Sequence, residues 1–261
     1  MENAPPISDV LLEGRADGIA TLTLNRPRQY NALSGALLSR LHASIDAIAK
    51  DESVRVVVIA AAGSAFCAGH DLKEMRSLGS REAVEALFAS SSRLMKKLVA
   101  LPQPVIAQVN GLTTAAGCQL VAQCDLAVAS EDARFAVSGV NLGLFCSTPA
   151  VPLSRNIGRK RAAEMLMTGD FIDAGTALDW GLLNRVCPAD RLAETVRELA
   201  SHLLAKPRET LALGKALFYR QLEAGLDAAY DDATRTIARN FADPVATEGV
   251  AAFLEKRPPR W

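Results

Sequence analysis

A chain of 261 residues with 49% hydrophobic content is long enough to bury a substantial core. Lys plus Arg and Asp plus Glu each number 29, so the formal charge is zero; a polyanion-binding surface, and with it a nucleic-acid partner, is not expected. The five cysteines, Cys67, Cys118, Cys124, Cys146 and Cys187, include no Cys-x-x-Cys pair, which argues against a metal site, and their odd number suits a reducing compartment.

Residues 1–9 carry no basic and apolar leader pattern, and the longest apolar runs fall well short of the ~20 residues of a membrane span. The expectation is a cytoplasmic protein without membrane contact. Residues 10–13 and 19–24, separated by Ala16, Asp17 and Gly18, read as a β-hairpin. After Asn25, Arg26 and Pro27, Ser34 is placed to cap a helix whose apolar positions Leu37, Leu38, Leu41, Ile45 and Ile48 recur at helical spacing. Residues 54–60, β-branched and nearly uncharged, form a buried strand that ends in a small-residue loop over 61–71. Asp71 reads as the N-cap of a helix beginning at Leu72. A helix over 81–101 is stopped by Pro102 and Pro104, and a strand over 105–109 follows.

Residues 110–125 run from that strand through small residues into an apolar helix. The first turn of a helix leaves about four amide donors without internal partners and adds roughly half a positive charge. Gly111, Ala115, Ala116 and Gly117 leave little side-chain bulk there, so the junction suits an anion or a developing oxyanion; a tight helix–strand packing contact is the alternative. Strands over 126–129 and 134–137 come next. A strand, small-residue loop and helix recur with a period of roughly 50 residues, which predicts a stacked or wound α/β core.

Beyond Pro149 the pattern is mostly helical, with helices over 174–180 and 191–204 around a short strand at 184–186. Lys206 and Pro207 mark a boundary between a core over 1–205 and a C-terminal region over 206–261. Helices over 208–222, 226–241 and 245–255, the last two separated by Asp243 and Pro244, carry apolar residues on more than one face and predict homo-oligomerisation.

If the strands before loops 65–71 and 113–117 are neighbours, amides from both loops converge on one carbonyl oxygen as a backbone oxyanion hole, where losing one donor costs on the order of 3 kcal/mol of barrier. The His70 ring has the chemistry of an acid, a base or a phosphate contact; the reading preferred here is that only its N–H acts and its ring forms a wall. Cys118 and Cys146 have no identifiable partner base and read as packed thiols. No Gly-x-Gly-x-x-Gly follows a strand, so a dinucleotide oxidoreductase is not expected.

At these two loops the sequence resembles the enoyl-CoA hydratase/isomerase, or crotonase, superfamily. Four pieces carry the likeness in order and spacing: Leu24, Asn25, Arg26 and Pro27 with Asn31, Ala32 and Leu33; residues 65–75; residues 110–125; and Leu166, Met167, Thr168 and Gly169 with Gly181 and Leu182 downstream. The resemblance implies an α/β fold, a spiral of repeated ββα units with a C-terminal helical trimerisation region, in trimers often paired as hexamers. It implies a coenzyme A thioester as substrate or ligand, with no separate cofactor. By position, the oxyanion donors are the N–H groups of His70 and Ala116, with Gly117 adjacent. CoA contacts fall on Arg28, Tyr30, Ala68, His70, Asp71 and Leu72, and on Phe253 and Lys256, which in some members come from a neighbouring subunit.

Family hydratases place glutamates where this chain has Gln119 and Gly139. Hydration needs one carboxyl group to deprotonate water and another to protonate the α-carbon. A Gln holds a water but cannot take its proton. Each acid–base group contributes roughly 100- to 10,000-fold, so ordinary hydratase activity is expected to be weak or absent. The segment 138–149 resembles a subgroup of the family with the same non-acidic positions. There Asn141, Cys146, Ser147 and Thr148 are candidates to line an acyl pocket; the preferred alternative is that they cap the following helix, with Thr148 ahead of Pro149. A non-catalytic acyl-CoA binder is the alternative to an enzyme.

Overall fold

The computed structural model describes residues 10–261. The hairpin pairs β1 (Leu11–Ala16) antiparallel with β2 (Ile19–Leu24), and α1 (Gly35–Ile48) follows with Ser34 accepting from the Leu37 N–H. Next come β3 (Val56–Ala61), β4 (Ala65–Cys67), α2 (Leu72–Ser77) and α3 (Arg81–Ala100). The chain continues through β5 (Val105–Val109), β6 (Leu112–Thr114), α4 (Ala116–Gln123), β7 (Leu126–Ser130) and β8 (Arg134–Ala136). A 3-10 turn (Ser138–Leu142) leads to α5 (Ser147–Asn156), α6 (Arg159–Thr168), β9 (Ile172–Asp173), α7 (Ala174–Trp180), β10 (Arg185–Cys187) and α8 (Leu192–Leu204). The C-terminal helices are α9 (Arg208–Gln221), α10 (Leu226–Phe241) and α11 (Pro244–Leu254).

Two sheets result, one ordered β1-β2-β3-β5-β7-β10 and the other β4-β6-β8-β9. Each of β3, β5 and β7 passes its chain on to a short strand of the second sheet, so the core is wound as repeated pairs of strands. The short strands β4 and β6, read from sequence as loop, pair in parallel with each other, as do β6 and β8. The expected period of about 50 residues holds only for one step: β3 begins at 56, β5 at 105 and β7 at 126, because the 20-residue α3 lengthens just one of the repeats.

Alternation along β3 explains its uninterrupted apolar sequence. Val56, Val58 and Ala60 face Leu192, Val196 and Ala200 of α8, whereas Val57 and Ile59 join the main core with Leu37, Leu41 and Leu98. A strand covered on both faces has no solvent side on which to place a charge.

The C-terminal helices are latched to this core by one buried cation. Lys215 Nζ on α9 donates to Leu98 O, Gln103 O and Asp125 Oδ2, and the Tyr219 hydroxyl donates to Asp125 Oδ1. Burial pulls the Lys215 pKa down, against the attraction of Asp125. Leu226, Tyr230, Ile237, Phe241, Phe253 and Leu254 remain exposed on α10 and α11. Among the described residues no helix is long and apolar enough to cross a membrane, and no cluster of three His, Cys, Asp or Glu residues is arranged to hold a metal ion.

Candidate functional site

Because β4, β6 and β8 are parallel neighbours, the segments leaving their C-terminal ends emerge side by side. These are 68–71, 115–117 and 137–141, so the topology gathers His70, Ala116 and Gly139 from three repeats. Close backbone packing holds the first two together. A Cβ on Gly69 would lie 3.3 Å from Ala116 N, one on Gly117 would lie 2.1 Å from Cys67 O, and one on Gly111 would lie 2.2 Å from Ser64 O. Gly111 and Gly117 are therefore glycines because carbonyls of the preceding repeat occupy the space of a side chain, which realises the packing alternative at those two positions.

The direction of the two key amides follows from bonds on the opposite sides of their peptide planes. Leu33 N donates to Gly69 O at 2.7 Å, and Asp71 N donates to Leu33 O at 3.2 Å, forming a parallel bridge around His70. Since a trans peptide points its N–H opposite to its C=O, the His70 N–H faces away from Leu33. In the same way Ala115 O accepts from Gln119 N at 3.1 Å, which turns the Ala116 N–H outward from the first turn of α4. The turn into α4 is strained: Ala115 has φ +49° and ψ −116°, a conformation that costs an L-residue about 1–3 kcal/mol. Two outward amide donors on adjacent loops, one at a helix N-terminus, are suited chemically to a shared carbonyl oxygen.

The side chains around these donors are neutral or already engaged. The His70 ring stacks edge-on against Phe88 of α3, with centroids 4.8 Å apart, and burial lowers its pKa to about 4. At neutral pH it is an uncharged wall. Gln119 is 3% exposed, and its Oε1, like Thr148 Oγ1 and His70 Nε2, is buried without a hydrogen-bond partner among the described residues. Burial pushes the Cys67 thiol up to about 12 and also raises the pKa of Cys118. Cys118 Sγ lies 3.2 Å from both Thr113 O and Ala136 O, which share its single proton, so it packs as a thiol.

Asp71 is the expected N-cap, with Oδ1 accepting from Lys73 N and Glu74 N. Its Oδ2 accepts from Arg26 at 2.9 Å. Burial by itself raises the Asp71 pKa, but the bonds from Arg26 and from the Glu74 and Lys73 amides outweigh it and hold the carboxyl below its ordinary range. The carboxylate is thus committed within the protein. Ala68 donates its N–H to Tyr30 O and accepts at its carbonyl from Thr114 Oγ1. Arg28, Tyr30 and Leu72 are exposed around this turn.

Gly139 is enclosed: a Cβ there would meet Leu144 O at 2.4 Å and Cys146 Sγ at 2.8 Å. Cys146 is buried, and burial raises its pKa against a backbone hydrogen bond at Gly139. Asn141 is exposed and packs against the backbone of Gly169. The expected cap at Thr148 is not formed. Helix α5 begins at Ser147, two residues earlier than a Thr148 cap would start it, its cap position Cys146 makes no side-chain bond, and the Thr148 hydroxyl lies inside the first turn. Phe253 is 81% exposed and Lys256 is exposed at the end of α11; among the described residues no hydrogen bond, ion pair or ring contact joins either to the two loops.

Sequence reasoning gave Arg26 no role, because its partner Asp71 lies 45 positions away and no local spacing announces the pair. Phe88 was hidden in an amphipathic helix for the same reason.

The family model for enoyl-CoA hydratase/isomerase matches residues 14–261. The chain belongs to this family, the crotonase superfamily, whose wound fold it shares with solved members. An enoyl-CoA hydratase from Mycobacterium smegmatis superposes with a TM-score of 0.95 at 58% identity, covering 97% of this chain and 98% of that one. The structure of human enoyl-CoA hydratase domain-containing protein 3 superposes with a TM-score of 0.94 at 44% identity, covering 97% of this chain and 100% of that one. The mitochondrial protein of the same name from Rattus norvegicus is 45% identical over 245 residues, 94% of this chain and 82% of its own length. This is the subgroup that the 138–149 segment resembles.

One expectation is overturned by these relatives. The rat protein and its counterparts from mouse, human, Xenopus laevis and Danio rerio, 44–47% identical, are named mitochondrial, which contradicts the cytoplasmic placement. The physical basis of that placement was too coarse: reduced, buried thiols and short apolar runs are compatible with any reducing compartment.

Proposed function

We propose that this chain binds a coenzyme A thioester and polarises its carbonyl between the N–H groups of His70 and Ala116. The carrying observation is the pair of outward amides on adjacent loops, each fixed by a bond on the far side of its peptide plane. Gly117 supports this arrangement by letting the two loops touch. The coenzyme lies along the rim formed by Arg28, Tyr30, Ala68 and Leu72, with the Asp71 side chain serving the loop rather than the ligand. Gln119, Asn141 and Cys146 border the acyl end. Chemistry here is enolate-type or proceeds through a tetrahedral intermediate, with Gln119 or a water it holds assisting, and ordinary hydration is weak or absent.

We read residues 206–261 as an oligomerisation region forming a homotrimer or a dimer of trimers, in support of which α10 and α11 expose Leu226, Tyr230, Ile237, Phe241 and Leu254. Phe253 and Lys256 then serve the CoA site of a neighbouring subunit.

A second reading, a binder or modulator without turnover, is favoured by one observation. The place of the second carboxylate is closed at Gly139 by Leu144 O and Cys146 Sγ, so the lost group has no room to be replaced from the same backbone position. A panel of enoyl-, 3-hydroxyacyl- and malonyl-type CoA thioesters separates the readings. Turnover abolished by Gln119→Ala supports the enzyme and rejects the binder. Micromolar binding with no turnover on any member rejects the enzyme.

A further inference from the structure

We infer that Arg26 is a positioning residue for the His70 N–H, acting through two consecutive peptide groups. The inference rests on the reading of that N–H as a thioester donor. Arg26 Nη1 donates to Ala32 O at 2.5 Å. The same peptide unit carries the Leu33 N–H, which donates to Gly69 O at 2.7 Å. The Gly69 carbonyl in turn shares its peptide unit with the His70 N–H. A guanidinium charge, two aligned peptide dipoles and the outward amide therefore form one hydrogen-bonded chain that ends where a carbonyl oxygen would bind. Bonds in such a chain polarise one another, by roughly 10–30% per bond. The cation at its head makes the last N–H a stronger donor.

The geometry around the chain keeps it in place. Arg26 Nη2 holds Asp71 Oδ2 at 2.9 Å, and the two side chains are only 13% and 12% exposed, so water screens the pair little. Arg26 N donates to Asn31 Oδ1 at 2.8 Å, and Asn31 Nδ2 donates to Ala62 O and Ala65 O. Asp71 N returns to Leu33 O. Arg26 thus grips both sides of the bridge around His70: the 32–33 peptide on one side and the residue after His70 on the other.

The test uses 4-(dimethylamino)cinnamoyl-CoA, a push–pull thioester whose absorption moves to longer wavelength as its carbonyl is polarised. The full-length protein is compared with Arg26→Met, Arg26→Gln and Arg26→Lys. Gln keeps a donor for Ala32 O without the charge, and Lys keeps the charge. In Met and Gln the red shift of the bound chromophore shrinks by about a third or more, since cooperative strengthening and orientation are lost together. In Lys most of the shift returns. Affinity for free coenzyme A, which has no thioester carbonyl, reads any loosening of the 68–72 rim separately, and the shift is compared on the fully bound chromophore in every variant. A wild-type red shift retained in full by both Met and Gln overturns the inference and leaves the thioester reading standing. A bound chromophore with no shift in the wild type overturns the thioester reading itself. Should Met fail to fold, the contrast between Gln and Lys carries the decision.

Discussion

Replacing Gln119 by Glu changes one atom at a buried position, and the consequence is a pH-dependent loss of stability. Gln119 is 3% exposed and its Oε1 has no hydrogen-bond partner among the described residues, so a carboxylate placed there gains no compensating donor. Burial disfavours the charged form and raises a carboxyl pKa by up to about 3–5 at fully buried positions. The sign follows directly. An acid whose folded-state pKa lies above its unfolded value contributes its full relative stability at low pH, below about 4, and loses it as pH rises through the folded-state pKa. A rise of about 3 corresponds to about 4 kcal/mol by pH 8 to 9, and in a chain of this size each kcal/mol moves Tm by roughly 2–4 °C. Thermal unfolding of wild type and Gln119→Glu across pH 4.5 to 9 measures this. Near-coincident Tm values at the acid end should diverge by about 8–16 °C at the alkaline end. A Tm difference that does not change with pH would show that the carboxylate at 119 is fully compensated, and the desolvation argument fails. Gln119→Glu alone is expected to leave crotonyl-CoA hydration weak, because hydration needs a second carboxyl group and position 139 is still Gly.

Other outcomes follow from the same geometry. Gly111→Ala, Gly117→Ala and Gly139→Ala drive a methyl into Ser64 O, Cys67 O and Leu144 O respectively, and each is expected to cost about 1–3 kcal/mol or more, read as a lowered Tm; wild-type Tm values would contradict the packing. Glutamate at 139 carries the same backbone conflict, so a failed gain of activity there must be paired with a stability measurement. His70 is a base whose folded-state pKa is lowered from 6.5 to about 4, so stability falls as pH drops through that interval, by about 3 kcal/mol in total. Urea unfolding at pH 7 and pH 4 should show this acid loss in wild type and not in His70→Leu; equal losses would place the imidazole in water.

The sequence made the large elements readable because their signals are local. Ser34 sits three residues before the Leu37 amide it caps, the apolar spacing of α1 is helical, and Pro102 with Pro104 stops α3. Strands β4 and β6 have three residues each and lie inside small-residue loops, too short to show alternation, and they exist because each finds the other as a parallel neighbour. The loops that carry His70 and Ala116 were legible as a pair of small-residue loops after buried strands, although Gly111 and Gly117 serve close packing against carbonyls. The grip of Arg26 on Asp71 and Ala32, the ring contact of His70 with Phe88 and the closure of Gly139 by Cys146 depend on where distant segments meet. Thr148 was misread because Pro149 suggested a helix start two residues later than the observed one at Ser147.

Backbone amides cannot be deleted by mutation, so the central claim is tested most directly by deleting their acceptor. Isothermal titration of the protein with butyryl-CoA and with S-butyl-CoA, the thioether that lacks the carbonyl oxygen, compares ligands that differ in that atom. Two hydrogen bonds at about 1–1.5 kcal/mol each predict roughly 30- to 150-fold tighter binding of the thioester. Equal affinities would contradict the account, since the His70 and Ala116 N–H groups would then not be holding a carbonyl.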